Sequence, residues 1–179
     1  MTPPLGDDWR FCPLCGATLA AAMRDGRPRP ACARCGFVFF AAMGVGVAAV
    51  INDSTSRVAL VQRAAGLFGA GLWCLPCGYV EWGEDVRHAA AREALEETSL
   101  TVEIGEVVQI AVNRHDPARP TVGLWFAARR LDPAHEPRAG DDAVAVGWFE
   151  PAAPPPLAFP TDARLLADMA ARRHSLAGG

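Results

Sequence analysis

From Gly44 onward, short apolar runs alternate with polar breaks. Residues 44–51 and 57–62 are rich in Val, Ile and Ala and flank an Asn-Asp-Ser turn, a pattern that predicts a β-hairpin. Residues 102–112 and 122–128 predict two more strands joined by the polar loop 113–120, and residues 143–149 predict another. Between the early and late strands, the stretch after Glu84 predicts a helix. A second helix is predicted over 161–173, with Thr161 as its cap and Leu165, Leu166 and Met169 as its buried stripe. The prolines of 151–160 read as a stiff connector into it. Strands and helices alternating in this order place the chain in the α/β class.

The first predicted helix and the glycine turn before it carry four carboxylates, Glu84, Glu93, Glu96 and Glu97. Like charges a few ångströms apart raise one another's pKa. A hard divalent cation removes that repulsion, and an all-oxygen set suits Mg2+ or Mn2+. On a helix, Glu93 and Glu97 share a stripe with Val86, Ala89 and Ala90, while Glu96 lies one step aside. The two alanines leave room for a ligand to approach. Glu84 precedes the helix, where negative charge is favoured, and Arg92 is within reach of His88, Glu96 or Glu84. The competing reading is a solvated acidic face laced with arginine pairs.

The spacing G-x5-E-x7-R-E-U-x-E-E-x-G-U, with U a bulky apolar residue, falls on Gly78, Glu84, Arg92, Glu93, Glu96, Glu97 and Leu100. In this the stretch resembles the signature box of the Nudix hydrolase family. Ala94 stands where a larger apolar residue is usual. Ser99 replaces the helix-ending glycine, and because serine tolerates the left-handed region poorly, a small local adjustment is expected there. Trp73-Cys74-Leu75-Pro76-Cys77 is similar to the family's W-x-L-P-G lead-in, with Cys77 in place of glycine. The resemblance implies a Nudix α/β/α sandwich around a mixed sheet, and metal-dependent hydrolysis of a nucleoside diphosphate linked to another moiety. It implies Glu93, Glu96 and Glu97 as metal ligands, helped by a backbone carbonyl near Cys77 or Gly78. Glu84 is then an outer ligand or orienter, and Arg92 holds the glutamates in place. Two choices stay open for the general base: Glu93, or a carboxylate of a later loop, Asp141 or Asp142.

Ahead of this region, Cys12-Pro-Leu-Cys15 and Cys32-Ala-Arg-Cys35 form two C-x2-C pairs, followed by Gly16 and Gly36. A tight turn after each pair points backbone N–H groups at the thiolates, and four soft ligands suit tetrahedral Zn2+. A segment this short lacks a core of its own, so its stability is expected to come largely from the ion, on the order of 10 kcal/mol. A zinc ribbon over residues 1–41 before a hydrolase domain over 43–175 resembles the zinc-ribbon branch of the family, which includes NADH pyrophosphatases and FAD or ADP-ribose pyrophosphatases. Arg10, Arg24, Arg27, Arg29 and Arg34 make the segment slightly basic, offset by Asp7, Asp8 and Asp25, so a nucleic-acid role is not expected. Cys74 and Cys77 form a third C-x2-C. It falls on a strand end interrupted by Pro76, so Cys74 reads as core and Cys77 as a glycine substitute beside the metal site.

Composition narrows the function classes. Half of the chain is apolar (51%), net charge is −3, and all 17 Lys and Arg positions are Arg. That balance favours neither DNA nor membrane, and arginine suits two-point recognition of phosphate. The chain has no long apolar span and no signal-peptide pattern, which predicts a reducing cytoplasm. The expected partner is a small-molecule nucleotide, with a homodimer as the assembly to consider. Substrate signals are thin. The S-Q-P-W-P-F-P-x-S signature of NADH pyrophosphatases is absent, and Tyr79 is the one tyrosine. Pro117 falls near the downstream proline of ADP-ribose hydrolases. Arg114, His115 and Arg119 are candidates for phosphate or ribose, and Trp82 for stacking on a base, whereas Trp73, Trp125 and Trp148 read as core. ADP-ribose, FAD or a related dinucleotide is the expected substrate. The alternatives are a hydrolase that clears modified nucleoside triphosphates, and a non-catalytic module that senses nucleotides or binds nucleic acid.

Overall fold

A computed structural model describes residues 9–115 and 120–177, so the readings made of Asp7, Asp8, Pro117 and Arg119 lie outside the described residues. The chain divides after Met43 into two compact units.

The first unit carries β1 (Ala20–Arg24) and β2 (Arg27–Ala31), an antiparallel pair in register from Ala20–Ala31 to Arg24–Arg27. Patterning predicts no strand here, but the Asp25-Gly26 pair is a hairpin signal. Both residues take positive φ, 48° and 73°, as the tight turn requires. Two knuckles repeat one design. Gly16 N–H donates to Cys12 O at 2.9 Å, and Gly36 N–H to Cys32 O at 3.0 Å, with both glycines left-handed. The four sulfurs converge to within 4.8 Å of one another, and the Cys12–Cys35 and Cys15–Cys32 separations are both 3.5 Å. The Cys35 amide, working against burial and helped by the Arg34 amide, draws the Cys32 thiol down to about 7.

The second unit holds β3 (Gly44–Ile51), β4 (Val58–Arg63), β5 (Trp73–Cys74), β6 (Cys77–Tyr79), α1 (Val86–Thr98), β7 (Val102–Asn113), β8 (Thr121–Arg130), β9 (Ala143–Phe149) and α2 (Pro160–Ala177). One sheet has the order β6-β3-β8-β7 and is mixed, because β3 runs parallel to β8 while the other pairs are antiparallel. The other is antiparallel, β5-β4-β9. The expected β3–β4 hairpin is therefore corrected: the two strands lie in different sheets and meet at the Asn52–Val58 bridge. The reason is burial. Val47 to Ile51 and Val58 to Val61 are buried at every position, so each strand needs neighbours on both edges and cover on both faces.

Residue alternation on β3 divides the core between the helices. Val47, Ala49 and Ile51 pack in clusters with Ala89, Ala90 and Ala94 of α1, whereas Ala48 and Val50 share a cluster with Leu165 and Leu166 of α2. This is an α/β/α sandwich. Ala94 is fully buried beside Ala49, Ile51 and Ala59, so a larger residue there would push α1 off the sheet. Asp85 caps α1 by accepting from the Arg87 and His88 amides. At the other end Ser99 itself adopts φ 60°, its N–H bonds Leu95 O at 2.8 Å, and its hydroxyl reaches Arg138 O at 3.2 Å. Serine thus takes the left-handed cap directly, in place of the expected adjustment. Thr161 does not cap α2. Pro160 opens the helix, as its fixed φ suits, and the Thr161 hydroxyl donates to Asn113 Oδ1 at 2.9 Å.

A buried carboxylate pins α2 to β8 and to the segment between β5 and β6. Asp162 is 1% exposed and accepts from Trp125 Nε1 at 2.8 Å and from the Leu75 amide at 3.1 Å. Replacing it with alanine strands two buried donors, so Asp162→Ala is expected to lower unfolding free energy by about 2 kcal/mol in urea titrations.

Candidate metal and substrate site

The C-terminal half of α1 lies beside the Cys77–Tyr79 strand, and the close approach depends on a missing side chain. A Cβ on Gly78 would fall 2.1 Å from Glu93 Oε1, so any residue but glycine would displace that carboxylate. Glu97 is 4% exposed and accepts from the Cys77 amide at 2.8 Å. Burial pushes its pKa up to about 8; the Cys77 N–H opposes the shift, while the charges of Glu93 and Asp142 add to it. Burial likewise raises Glu93, against the pull of Arg92.

Arg92 is the hub of the remaining acids. Its Nε and Nη2 take Glu84 at 2.9 and 3.0 Å, Nη1 takes Glu93 at 2.7 Å and Glu96 at 2.9 Å, and Nη2 also reaches Tyr79 O at 3.1 Å. The hydrogen bonds from Arg92 hold the Glu84 carboxyl down to about 2. Glu84 in turn accepts from the Glu81 amide at 3.0 Å, closing the turn ahead of α1. Arg92 draws Glu93 and Glu96 one way and the Cys77 amide draws Glu97 another. Among the described residues, the cysteines of the first unit are the ligand group whose atoms all converge within 4.8 Å. Among the described residues, Glu93, Glu96 and Glu97 do not form such a converging group. The donor set fits a hard cation, with carboxylate oxygens on one helix face over a backbone strip that lacks a side chain.

A cavity of about 590 Å³ opens beside these groups, lined among others by Glu97, Cys77, Gly78 and Asp142. Its size is within the range of ligand pockets, about 300–1,000 Å³. Sequence reasoning missed much of its wall: Arg63, Phe68, Asn113, Phe159 and Asp162. Arg63 ends β4, its Nε bonds Phe68 O at 2.7 Å, and Nη1 lies 3.7 Å from Cys74 Sγ. The signal for Arg63 was a lone cation closing an apolar strand. Asp162 gave none, since an acid in a first helical turn is ordinary. Burial raises Asp162 to about 6, against the Leu75 and Trp125 donors.

Three expectations shift in place. Arg114 is exposed just past the end of β7 and does not line the cavity, whereas its neighbours Asn113 and His115 do. Trp82 is fully exposed, at 102%, in the turn before α1 and is not among the lining residues. Asp142 lines the cavity, while Asp141 spends its φ of 49° on the turn. Cys77 faces the cavity 4.0 Å from Cys74, and that thiol contact together with burial pushes its pKa well up, which disfavours the reactive thiolate.

The NUDIX domain family matches residues 42–169, and the family's Nudix N-terminal domain, a zinc ribbon, matches residues 10–41. The chain belongs to the Nudix hydrolase family. This Nudix chain is 31% identical over 110 residues to the ADP-ribose pyrophosphatase of Methanocaldococcus jannaschii, covering 61% of the chain and 63% of that protein. It is 43% identical over 67 residues to Nudix hydrolase 6 of Arabidopsis thaliana, and spans 23% of that relative's length. The NUDIX hydrolase structure from Nitrosomonas europaea superposes with a TM-score of 0.80 at 28% identity, over 93% of both chains.

A buried carboxylate with a raised pKa binds a proton in the native state that the unfolded state releases. Metal-free protein should therefore lose stability as pH rises from 4.5 to about 8 on account of Glu97. In thermal melts with a chelator, Glu97→Gln is expected to raise the midpoint at pH 8 by several degrees, with the gain vanishing near pH 4.

Proposed function

We propose that this Nudix protein hydrolyses the phosphoanhydride of a nucleoside diphosphate linked to another moiety, with ADP-ribose, FAD or a related dinucleotide as substrate. One observation carries the reading: a buried carboxylate, Glu97, and a solvent-facing one, Asp142, line one cavity with Arg63, beside acids organised by Arg92. The likeness to an ADP-ribose pyrophosphatase supports the substrate class.

Glu93, Glu96 and Glu97 would hold Mg2+ or Mn2+, with a carbonyl of Cys77 or Gly78. Such an ion would supply charge neutralisation at the phosphate oxygens and a more acidic water for attack. The chain's own work is placement. Arg92 fixes Glu84 and Glu93 so that repulsion does not splay the helix face. Gly78 keeps the floor open for Glu93. Arg63 offers a guanidinium to the diphosphate. Asp142 is the general base, since it lines the cavity and its carboxylate shows no hydrogen bond among the described residues, whereas Glu93 is tied to Arg92. Its removal by Asp142→Asn is expected to lower kcat by about 10²–10⁴-fold with KM little changed. Glu97→Gln should lower kcat by orders of magnitude while the far-UV spectrum stays native. Near-normal turnover of ADP-ribose and FAD by Glu97→Gln in Mg2+ and in Mn2+ would remove the assignment.

Residues 1–41 would form the zinc ribbon and 43–175 the hydrolase domain, in a reducing compartment such as the cytoplasm. A tetrahedral ion about 2.3 Å from each sulfur spaces the sulfurs about 3.8 Å apart, close to the 3.5 Å seen for two of the pairs. Elemental analysis is expected to find one zinc per chain, and Cys32→Ser to lose it and expose the first 43 residues to protease.

A further inference from the structure

Two thiols outside the first unit's knuckles meet at the edge of the cavity. Cys74 and Cys77 are the second unit's only cysteines, and both are unbridged. Cys77 Sγ donates toward Cys74 Sγ across 4.0 Å. Cys77 lines the cavity, whereas Cys74 is fully buried behind it, packed with Val61 and Ala143. Arg63 Nη1 stands 3.7 Å from Cys74 Sγ. No step of the hydrolysis described above uses either sulfur. Cys77 stands where the family's lead-in carries glycine, so the pair is a feature of this chain.

The pair is joined to the acidic face of α1 through the backbone. The Cys77 amide holds Glu97 Oε2 at 2.8 Å, and the next residue, Gly78, gives room to Glu93. Cys74 is paired with Val61 of β4 and Cys77 with Ala48 of β3, so a bond between the sulfurs would tie the edges of two sheets together. A disulfide bond is about 2 Å long, so the sulfurs must close much of their present separation. Cys74 is locked by packing, and the Leu75 amide is held by Asp162 at 3.1 Å. Cys77 therefore takes up the movement. Its side chain leaves the cavity wall, and the amide under Glu97 shifts with it.

We propose that Cys74 and Cys77 are a reversible oxidation site whose disulfide lowers divalent-cation affinity at Glu97. The effect on the ion rests on the ligand assignment made above; formation of the bond does not. The oxidant is a small hydroperoxide, of which hydrogen peroxide is the simplest. The Cys77 sulfur attacks one peroxide oxygen, the O–O bond breaks, and the other oxygen leaves as water with the thiol proton. Cys77 is then a sulfenic acid. The Cys74 sulfur attacks the Cys77 sulfur, the S–O bond breaks, and a second water carries off that oxygen with the Cys74 proton. Two thiols lose two electrons and the peroxide gains them. The Arg63 guanidinium offsets negative charge on the Cys74 sulfur as its proton leaves. The Cys74 contact and burial keep Cys77 protonated, so the first step is slow and the pair responds to sustained exposure. A small dithiol reverses the bond by exchange.

The test exposes the full chain, purified with zinc, to hydrogen peroxide for increasing times. Catalase stops the reaction, free thiols are alkylated, and trypsin digests the product. Both sulfurs fall in one peptide, 64–87. This peptide is expected to become two hydrogens lighter and inert to alkylation. The Mn2+ dissociation constant, read by electron paramagnetic resonance, is expected to rise about tenfold, and dithiothreitol to reverse both changes. Both thiols still free in peptide 64–87 once the first unit's cysteines are oxidised would overturn the site, and so would a disulfide that leaves Mn2+ affinity unchanged. Cys74→Val keeps apolar bulk in the buried position, and its Mn2+ affinity should change little under the same exposure. A loss as large as that of wild type rules the pair out as the cause. If Cys74→Val does not fold, the wild-type peptide and its reversal decide. If reduced wild type binds no Mn2+, the ligand assignment falls, and the disulfide in peptide 64–87 alone decides the oxidation site.

Discussion

Glu97 is 4% exposed, and its carboxylate rests on the Cys77 amide. A buried acid so close to other acids is unfavourable by itself, and its raised pKa reflects that. Much of the surrounding structure arranges around this group. The Cys77 amide opens β6, which the chain reaches from β5 of the other sheet through Leu75 and Pro76, and it donates to Glu97. Arg92 takes up Glu84, Glu93 and Glu96 at the same helix face, so the acids are separated rather than stacked. The site thus stores an electrostatic cost that a divalent cation would offset, which is a common trade between stability and function.

Small residues set how closely the elements approach. Ala89, Ala90 and Ala94 let α1 lie down on β3. Gly78 admits the Glu93 carboxylate, and Gly140 lets the loop before β9 press on the end of α1, since a Cβ there would meet Glu96 O at 2.6 Å. That second contact brings Asp142 to the cavity. Gly123 lies under the Trp125 ring, where a Cβ would be 2.6 Å away, and this frees the indole to reach Asp162. Overpacking at any of these points would move a functional side chain before it unfolded the domain.

The first unit answers a different constraint. Among the described residues it has one hairpin and few buried apolar groups, Cys12, Ala31 and Cys32 among them, too little for an independent core. Its order is organised by two repeated knuckles that aim backbone amides at sulfur. Local turn geometry, set by Gly16 and Gly36, does there what side-chain packing does in the second unit.

The local patterns of this chain were sufficient for its class. Carboxylates at helical spacing after a glycine turn, and thiols in two C-x2-C pairs, are near-neighbour signals, because both the ligands and the turns that aim them lie within a few residues. Strand positions were legible for the same reason, from runs of apolar residues. What the sequence left open was everything that depends on which segments meet. It suggested a β3–β4 hairpin, whereas burial on both faces sends the two strands to separate sheets. It pointed to Arg114 and Trp82, which are exposed and lie outside the cavity wall, and to His115, which lines that wall together with the unexpected Asn113. Arg63, Phe68, Phe159 and Asp162 are ordinary residues in their own neighbourhoods. They become one cavity wall because close packing across glycines and the Asp162 hydrogen bonds join segments far apart in the chain.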